Sequence, residues 1–270
     1  MDDGKSTKRS RGLLGRGASA KIYSAFCVED SKLVAIKIFS RSSTSSNSGF
    51  NFCEHEQRIL ENLVGKPHCI QLIDASIARE IIILERGEAT LSALLTSEKI
   101  GDLRFIAYFF PQPSNFVLCK GATLKLIDFG ISKWIVNEDD VVLVDKDTQM
   151  GTLSYMAPES LKVSIVDFPV ASSFVEMGTA ADIWALGCIL HEMLVGKLPF
   201  SLSSQISLKE KVSLITNADS QVEIPESPPS QTESSDGWSH WRSIALKCLV
   251  KNPCFRIKMP ELLCLVEKIW

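Results

Sequence analysis

Leu126-Ile127-Asp128-Phe129-Gly130, with Ala157-Pro158-Glu159 beginning 29 residues after Asp128, constrains this chain more than any other feature. The apolar run Leu124-Lys125-Leu126-Ile127 reads as a short strand that ends by presenting one carboxylate, ahead of an aromatic and a glycine. The glycine lets the backbone turn, so Asp128 is expected at the mouth of a cleft. By itself such a tripeptide is a strand-ending turn. What gives it weight is the order of the segments on either side.

The 270 residues are ample for one domain with a sizeable core, and 45% of them are hydrophobic. A formal charge of -3 and an isoelectric point near 5.9 argue against nucleic acid or an anionic membrane surface as the main partner. The eight cysteines (27, 53, 69, 119, 188, 248, 254 and 264) include no Cys-x-x-Cys pair, and no histidine stands at ligand spacing. They are therefore expected as reduced thiols rather than a zinc site or a disulfide framework. No apolar run approaches the roughly 18 residues that span a bilayer. Residues 1–11 are polar and basic, and Lys8-Arg9-Ser10-Arg11 is either a nuclear address or part of a solvated, disordered tail. The expected location is cytoplasmic or nuclear.

Leu14-Gly15-Arg16-Gly17-Ala18-Ser19-Ala20-Lys21-Ile22 lies between strand-like segments, and the β-rich Leu33-Val34-Ala35-Ile36-Lys37 follows. The first stretch fits a plain glycine turn. It also fits a hairpin whose backbone amides close on a phosphate, an approach that residues without Cβ permit. Lys37 bears on the choice, because an ammonium inside an apolar strand costs several kcal/mol unless it meets an anion. Nucleotide phosphates and a carboxylate from the next helix are both on offer. That helix is expected over 52–63, with Phe52, Ile59, Leu60 and Leu63 on one face, Glu56 at its edge, and Glu54 and Glu61 in water.

Taken in order, the glycine loop, Val34-Ala35-Ile36-Lys37, the helix, Asp128-Phe129-Gly130 and Ala157-Pro158-Glu159 resemble a eukaryotic protein kinase domain. The resemblance runs from residue 12 to near the end of the chain. It implies an α+β fold of two lobes: a small β-rich lobe with one helix over 12–87, and a larger, mainly helical lobe over 88–270. It also implies a site for ATP and Mg²⁺ in which Glu56 partners Lys37. Leu14, Gly15, Gly17, Ala18 and Ser19 would cover the phosphates, with Ala20 in place of the usual third glycine. Ile22, Ala35 and Val117 would enclose the adenine, Leu84 would guard the back of the pocket, and Glu85-Arg86-Gly87 would be the hinge whose backbone binds the base. Asn115 and Asp128 would hold the metal, since a hard cation takes oxygen ligands and the phosphates supply the rest. A helix over 90–96 would open the larger lobe.

The same resemblance predicts a loop of the form His-Arg-Asp-x-Lys-Pro-x-Asn ahead of Asp128. Pro113-Ser114-Asn115 matches its second half, but Tyr108, Phe109 and Phe110 stand where His, Arg and Asp belong, and Gln112 replaces the lysine. Kinases of this kind place about 40 residues between hinge and loop. Here Glu85 and Phe110 are only 25 apart, so a block is missing near 110–111 rather than three residues being exchanged. A missing general base costs about 10²–10⁴ in rate. Losing most of a central helix, at about 1.5–3 kcal/mol for each buried Leu-sized side chain, rivals the roughly 5–15 kcal/mol stability of a whole domain. The chain is then a shortened form of a protein kinase, from an alternative transcript or an incomplete gene model, or else a pseudokinase.

Downstream, 131–150 is expected as the activation segment, with Thr148 its phosphorylation site, and Thr152 resembles the substrate-facing threonine of Ser/Thr-directed kinases. Glu159 and Arg256, 97 residues apart, are implied as a buried ion pair. An apolar central helix is expected to start at an N-capping Asp182 and to stop at Gly196. The acidic, Ser/Pro-rich 218–236 is expected as a loop, with closing helices over 238–250 and 259–270, and His191 as structural. The wording from Leu126 to Glu159, the Pro113–Leu118 piece and the polar insertion before Asp182 are similar to the monopolar-spindle checkpoint kinases. That similarity implies protein substrates and kinetochore partners in chromosome segregation.

Overall fold

Val34, Ile36 and Phe39, and Ile81–Ile83 further on, carry the branched and aromatic side chains that fit a pleated surface, and the two stretches pair with each other. The computed structural model describes residues 10–17, 19–40, 51–93, 115–121, 123–133, 141–145, 153–162, 174–200, 207–228 and 235–267. They cluster into two units. One joins the described residues of Met1–Leu91 with those of Asn115–Ser132, and the other joins the described residues of Ser92–Ser114 with those of Lys133–Trp270. Asn115–Ser132, expected in the larger lobe, thus clusters with the residues of the smaller one.

The first unit holds a five-stranded antiparallel sheet of β1 (Ser10–Arg16), β2 (Ala20–Cys27), β3 (Lys32–Phe39), β4 (Leu72–Ser76) and β5 (Ile81–Glu85), in the order β1-β2-β3-β5-β4. β3 is central, and Lys37 on it lies opposite Ile22 of β2 and Ile82 of β5. The twofold alternation of a strand puts Ala35, Lys37 and Phe39 on one face, and all three are buried. Helix α1 (Phe52–Asn62) buries Cys53, Glu56, Ile59 and Leu60. Its start is capped by Asn51, whose side chain accepts the Glu54 N–H at 3.1 Å.

A second antiparallel sheet of β6 (Ala89–Thr90), β7 (Phe116–Cys119) and β8 (Thr123–Leu126) completes this unit. Thr90, expected to open a helix, instead pairs with Val117 in that sheet. The end of β8 is seated by a parallel bridge to residue 69, where the Ile70 N–H donates to Leu126 O at 3.0 Å and the Leu126 N–H to His68 O at 2.8 Å. Two residues further on stands Asp128.

In the second unit, α3 (Thr179–Val195) has every residue from Ile183 to His191 buried, as an apolar helix surrounded by others must. It shares a core with α5 (Ser235–Cys248) and α6 (Met259–Glu267), built from Ile183, Leu186, Leu190, Trp238, Trp241, Ile244 and Leu262. Gly178 caps its start, and Asp182 sits in the first turn rather than at the cap. Gly196, in the left-handed region at φ 76°, ends it as expected. His191 lies between the carbonyls of Lys197 and Glu223, at 2.7 and 3.2 Å.

The short α2 (Pro158–Lys162) and α4 (Leu208–Thr216) pack beside α3, and β9 (Val141–Asp145) forms an antiparallel ribbon with β10 (Phe174–Gly178). Arg256 grips Glu159 through two hydrogen bonds of 2.7 and 2.9 Å, and its remaining donors reach the carbonyls of Val250, Ala180 and Lys251. The expected loop at 218–236 gives way to α5 from Ser235 onward. Among the described residues no helix is long and apolar enough to cross a membrane.

Candidate functional site

Strand alternation turns Lys37 inward, and burial then forces its ammonium to find acceptors; the side chain ends up 6% exposed. The acceptors come from α1 and from the turn after β8. Lys37 Nζ donates to Glu56 Oε1 and Oε2 at 2.8 and 2.7 Å and to Asp128 Oδ1 at 2.8 Å, so its three hydrogens meet three carboxylate oxygens. The Phe39 ring lies 5.3 Å from the same nitrogen. Residues 37, 56 and 128, far apart in the chain, meet at one point of the first unit.

Burial alone would pull the Lys37 ammonium down, but the Glu56 and Asp128 carboxylates outweigh it and hold the group above its ordinary 10.5. Glu56, expected at the edge of the apolar face, lies fully inside it at 1% exposure. Its burial pushes the carboxyl up, and Lys37 and a hydrogen bond from the Phe129 N–H only partly pull it back. Asp128 differs, with a side chain 53% exposed. The cost of its partial burial is outweighed by Lys37 and by the Gly130 N–H, so its carboxyl stays below the ordinary 3.8. Its backbone sits at φ 70°, a left-handed conformation uncommon outside glycine that favours sites where the surroundings dictate the geometry.

The glycine loop forms the expected hairpin between β1 and β2, closed by the Gly17 N–H donating to Ala20 O at 2.9 Å. The Ser40 N–H donates to Ser19 O at 2.9 Å, and Leu14 is 47% exposed. A Cβ at Gly15 would meet nothing within 4 Å, and one at Gly17 only Ala20 O at 3.7 Å. The protein itself therefore does not demand glycine at either place. Ala18, Thr148 and Thr152 lie outside the described residues, as does the junction at 110–111.

Ile22, Ala35, Leu84 and Val117, the residues expected round an adenine, belong to one apolar cluster together with Phe129. Ala35 and Leu84 face each other across β3 and β5. Gly87 presses so closely on this wall that a Cβ there would lie 2.4 Å from that of Val117. At the hinge, the Glu85 N–H already donates to Gln71 O at 3.0 Å, so that amide is engaged by the protein rather than offered to a base. The Glu85 carboxylate accepts from the Gln71 N–H at 2.8 Å and from Lys125 Nζ at 2.5 Å. The sequence reading missed Lys125 as a brace of the hinge; its signal is a charged residue inside the apolar β8, the pattern that singled out Lys37.

Asn115 O accepts the Ile127 N–H at 2.7 Å, which holds residue 115 on the backbone adjoining Asp128. No cluster of three or more His, Cys, Asp or Glu side chains able to hold a metal lies among the described residues. A hard cation beside Asp128 would have to complete its oxygen shell from a ligand and water. One ammonium and two carboxylates also leave the group with net negative charge, which favours such a cation.

A β-rich unit with one helix, a mainly helical unit, and a lysine gripped by two distant carboxylates define a kinase-type architecture. The family model of the protein kinase domain matches residues 111–265, and the chain belongs to that family. The matched span begins at the 110–111 junction, where the sequence pattern departs from that of the family. Among its relatives, the serine/threonine-protein kinase mph1 of Schizosaccharomyces pombe is 28% identical over 93% of this chain and 41% of its own length. The dual specificity protein kinase Ttk of Danio rerio is 30% identical over 93% of this chain and 26% of its own. For the serine/threonine-protein kinase MPS1 of Saccharomyces cerevisiae the figures are 29%, 79% and 30%. These relatives bear out the resemblance to the monopolar-spindle kinases, and the chain spans less than half the length of each.

Proposed function

We propose that this chain binds ATP with Mg²⁺ in the first unit, and that it is a shortened form of a protein kinase that transfers the γ-phosphate to serine or threonine, and also tyrosine, in proteins. The observation that carries the nucleotide reading is the buried Lys37 ammonium held between Glu56 and Asp128. Lys37 would meet the phosphates, and Glu56 would keep it in place. Asp128 and Asn115 would hold the cation, which when bound neutralises charge on the phosphate oxygens. The open space over Gly15 and Gly17 fits a loop that admits phosphates, and the Ile22, Ala35, Leu84 and Val117 wall fits a purine.

The relatives' names support a serine/threonine or dual-specificity protein kinase. The resemblance to the monopolar-spindle kinases extends this reading to the mitotic checkpoint, with kinetochore proteins as partners in the nucleus or cytoplasm. A second reading is favoured by one observation. Tyr108, Phe109 and Phe110 stand where the His, Arg and Asp of the catalytic loop belong, which leaves nucleotide binding without transfer. Titration calorimetry with Mg²⁺-ATP tests the nucleotide site, where binding abolished by Lys37→Met is expected and no binding by the unaltered chain would reject it. Transfer of labelled γ-phosphate to Ser, Thr and Tyr peptides then separates the two readings: transfer supports the kinase, and binding without transfer supports the silent form.

A further inference from the structure

We propose that His55 is a positioning residue that couples helix α1 to the turn after Asp128, and through it sets the geometry of the Lys37 site. The inference rests on the nucleotide reading above. His55 Nε2 lies 2.8 Å from Ser132 O. A carbonyl oxygen only accepts, so Nε2 carries the hydrogen and donates it. His55 immediately precedes Glu56, and successive helical residues point about 100° apart, which lets Glu56 face Lys37 while His55 faces the turn.

The turn is closed on itself by the Ser132 N–H donating to Phe129 O at 3.1 Å. One end of it lies beside Glu56, whose charged carboxylate is favoured by the Phe129 N–H. His55 holds the other end at Ser132. Gly130 between them lies close to both carboxylates, since a Cβ there would be 3.2 Å from Glu56 Oε2 and 3.4 Å from Asp128 Oδ1. Phe129 is buried in the same cluster as Ile59 and Leu60 of α1, so the turn and the helix share a core as well as polar contacts.

Two consecutive helical residues thus meet the two ends of one turn, and that turn begins at Phe129, next to Asp128. With Ser132 released, the turn can swing about Phe129, and the carboxylates on either side of Lys37 move with it.

The test uses the full chain with His55→Ala, His55→Gln, which keeps an N–H donor of similar reach, and His55→Phe, which keeps bulk without the donor. Amide hydrogen exchange of the nucleotide-free protein is followed at Phe129 and Ser132, and the Kd for Mg²⁺-ATP is measured by calorimetry. One lost hydrogen bond corresponds to about 5-fold. His55→Ala and His55→Phe should raise exchange at both amides and weaken Kd by about that factor, and His55→Gln should restore both. In a Glu56→Ala background, His55→Ala should have no further effect on Kd. Unchanged exchange in His55→Ala overturns the coupling, as does a phenylalanine variant that behaves like the unaltered chain. If the unaltered chain does not bind Mg²⁺-ATP, the nucleotide reading fails, and the exchange data still decide whether His55 couples the helix to the turn.

Discussion

With all three of its hydrogens taken by carboxylates, Lys37 cannot be replaced without leaving Glu56 buried and uncompensated. Lys37→Met should lower stability by about 3–5 kcal/mol in urea denaturation, the cost of breaking a buried pair from one side. Lys37→Met with Glu56→Leu should recover much of the loss, because two apolar groups need no partners. The site also has a pH signature. Asp128, held below its ordinary 3.8, contributes stability that is present above that pH and lost as pH falls through its lowered value. Lys37, held above 10.5, contributes stability that is present below that pH and lost as pH rises through its raised value. The stability attributable to these two groups should be level between those limits, and Asp128→Asn should make the acid limb of a denaturation series shallower.

At the scale of elements, the Asn51 cap and the contact of Gly87 with Val117 each fix one piece of the first unit. Asn51→Ala should cost about 1 kcal/mol, read as a shift of the urea midpoint at unchanged slope. Gly87→Ala should cost about 1–3 kcal/mol by overpacking and should weaken ATP binding, because Val117 is part of the wall it would displace. The pairing of Lys37 with Glu56 was legible through the kinase resemblance, with the strand pattern turning Lys37 inward and the helix pattern placing Glu56 at the edge of the apolar face. The depth of Glu56 was not, since an i, i+3, i+4 pattern marks a face without saying how closely its edges are covered. Asp182 misled for a related reason. It is a good capping residue, but the helix starts earlier at Gly178, where β10 hands the chain over and no side chain signals the boundary. The pairing of β10 with β9 was invisible, because the residues between them carry no turn signal that joins the two.

For the whole molecule, the order of motifs was enough to read an α+β kinase fold, because each segment has a local physical reason and only one known arrangement uses them all in that order. Arg256 with Glu159 is the long-range tie of the second unit. Arg256→Lys keeps the charge but loses the paired grip on the carboxylate, so the melting temperature should drop well beyond the effect of a surface substitution. Mg²⁺-ATP at 100 times its Kd should raise stability by about 2.7 kcal/mol, measured as a shift of the same transition. The pairing of Thr90 with Val117 also bears on the missing block. Thr90 and Val117 stand opposite each other on two antiparallel strands, so the two ends of the excursion between them lie side by side. Doubling the length of such an excursion adds only about 0.6 kcal/mol of closure entropy. A chain carrying further residues between these two strands would therefore keep the pairing of Thr90 with Val117.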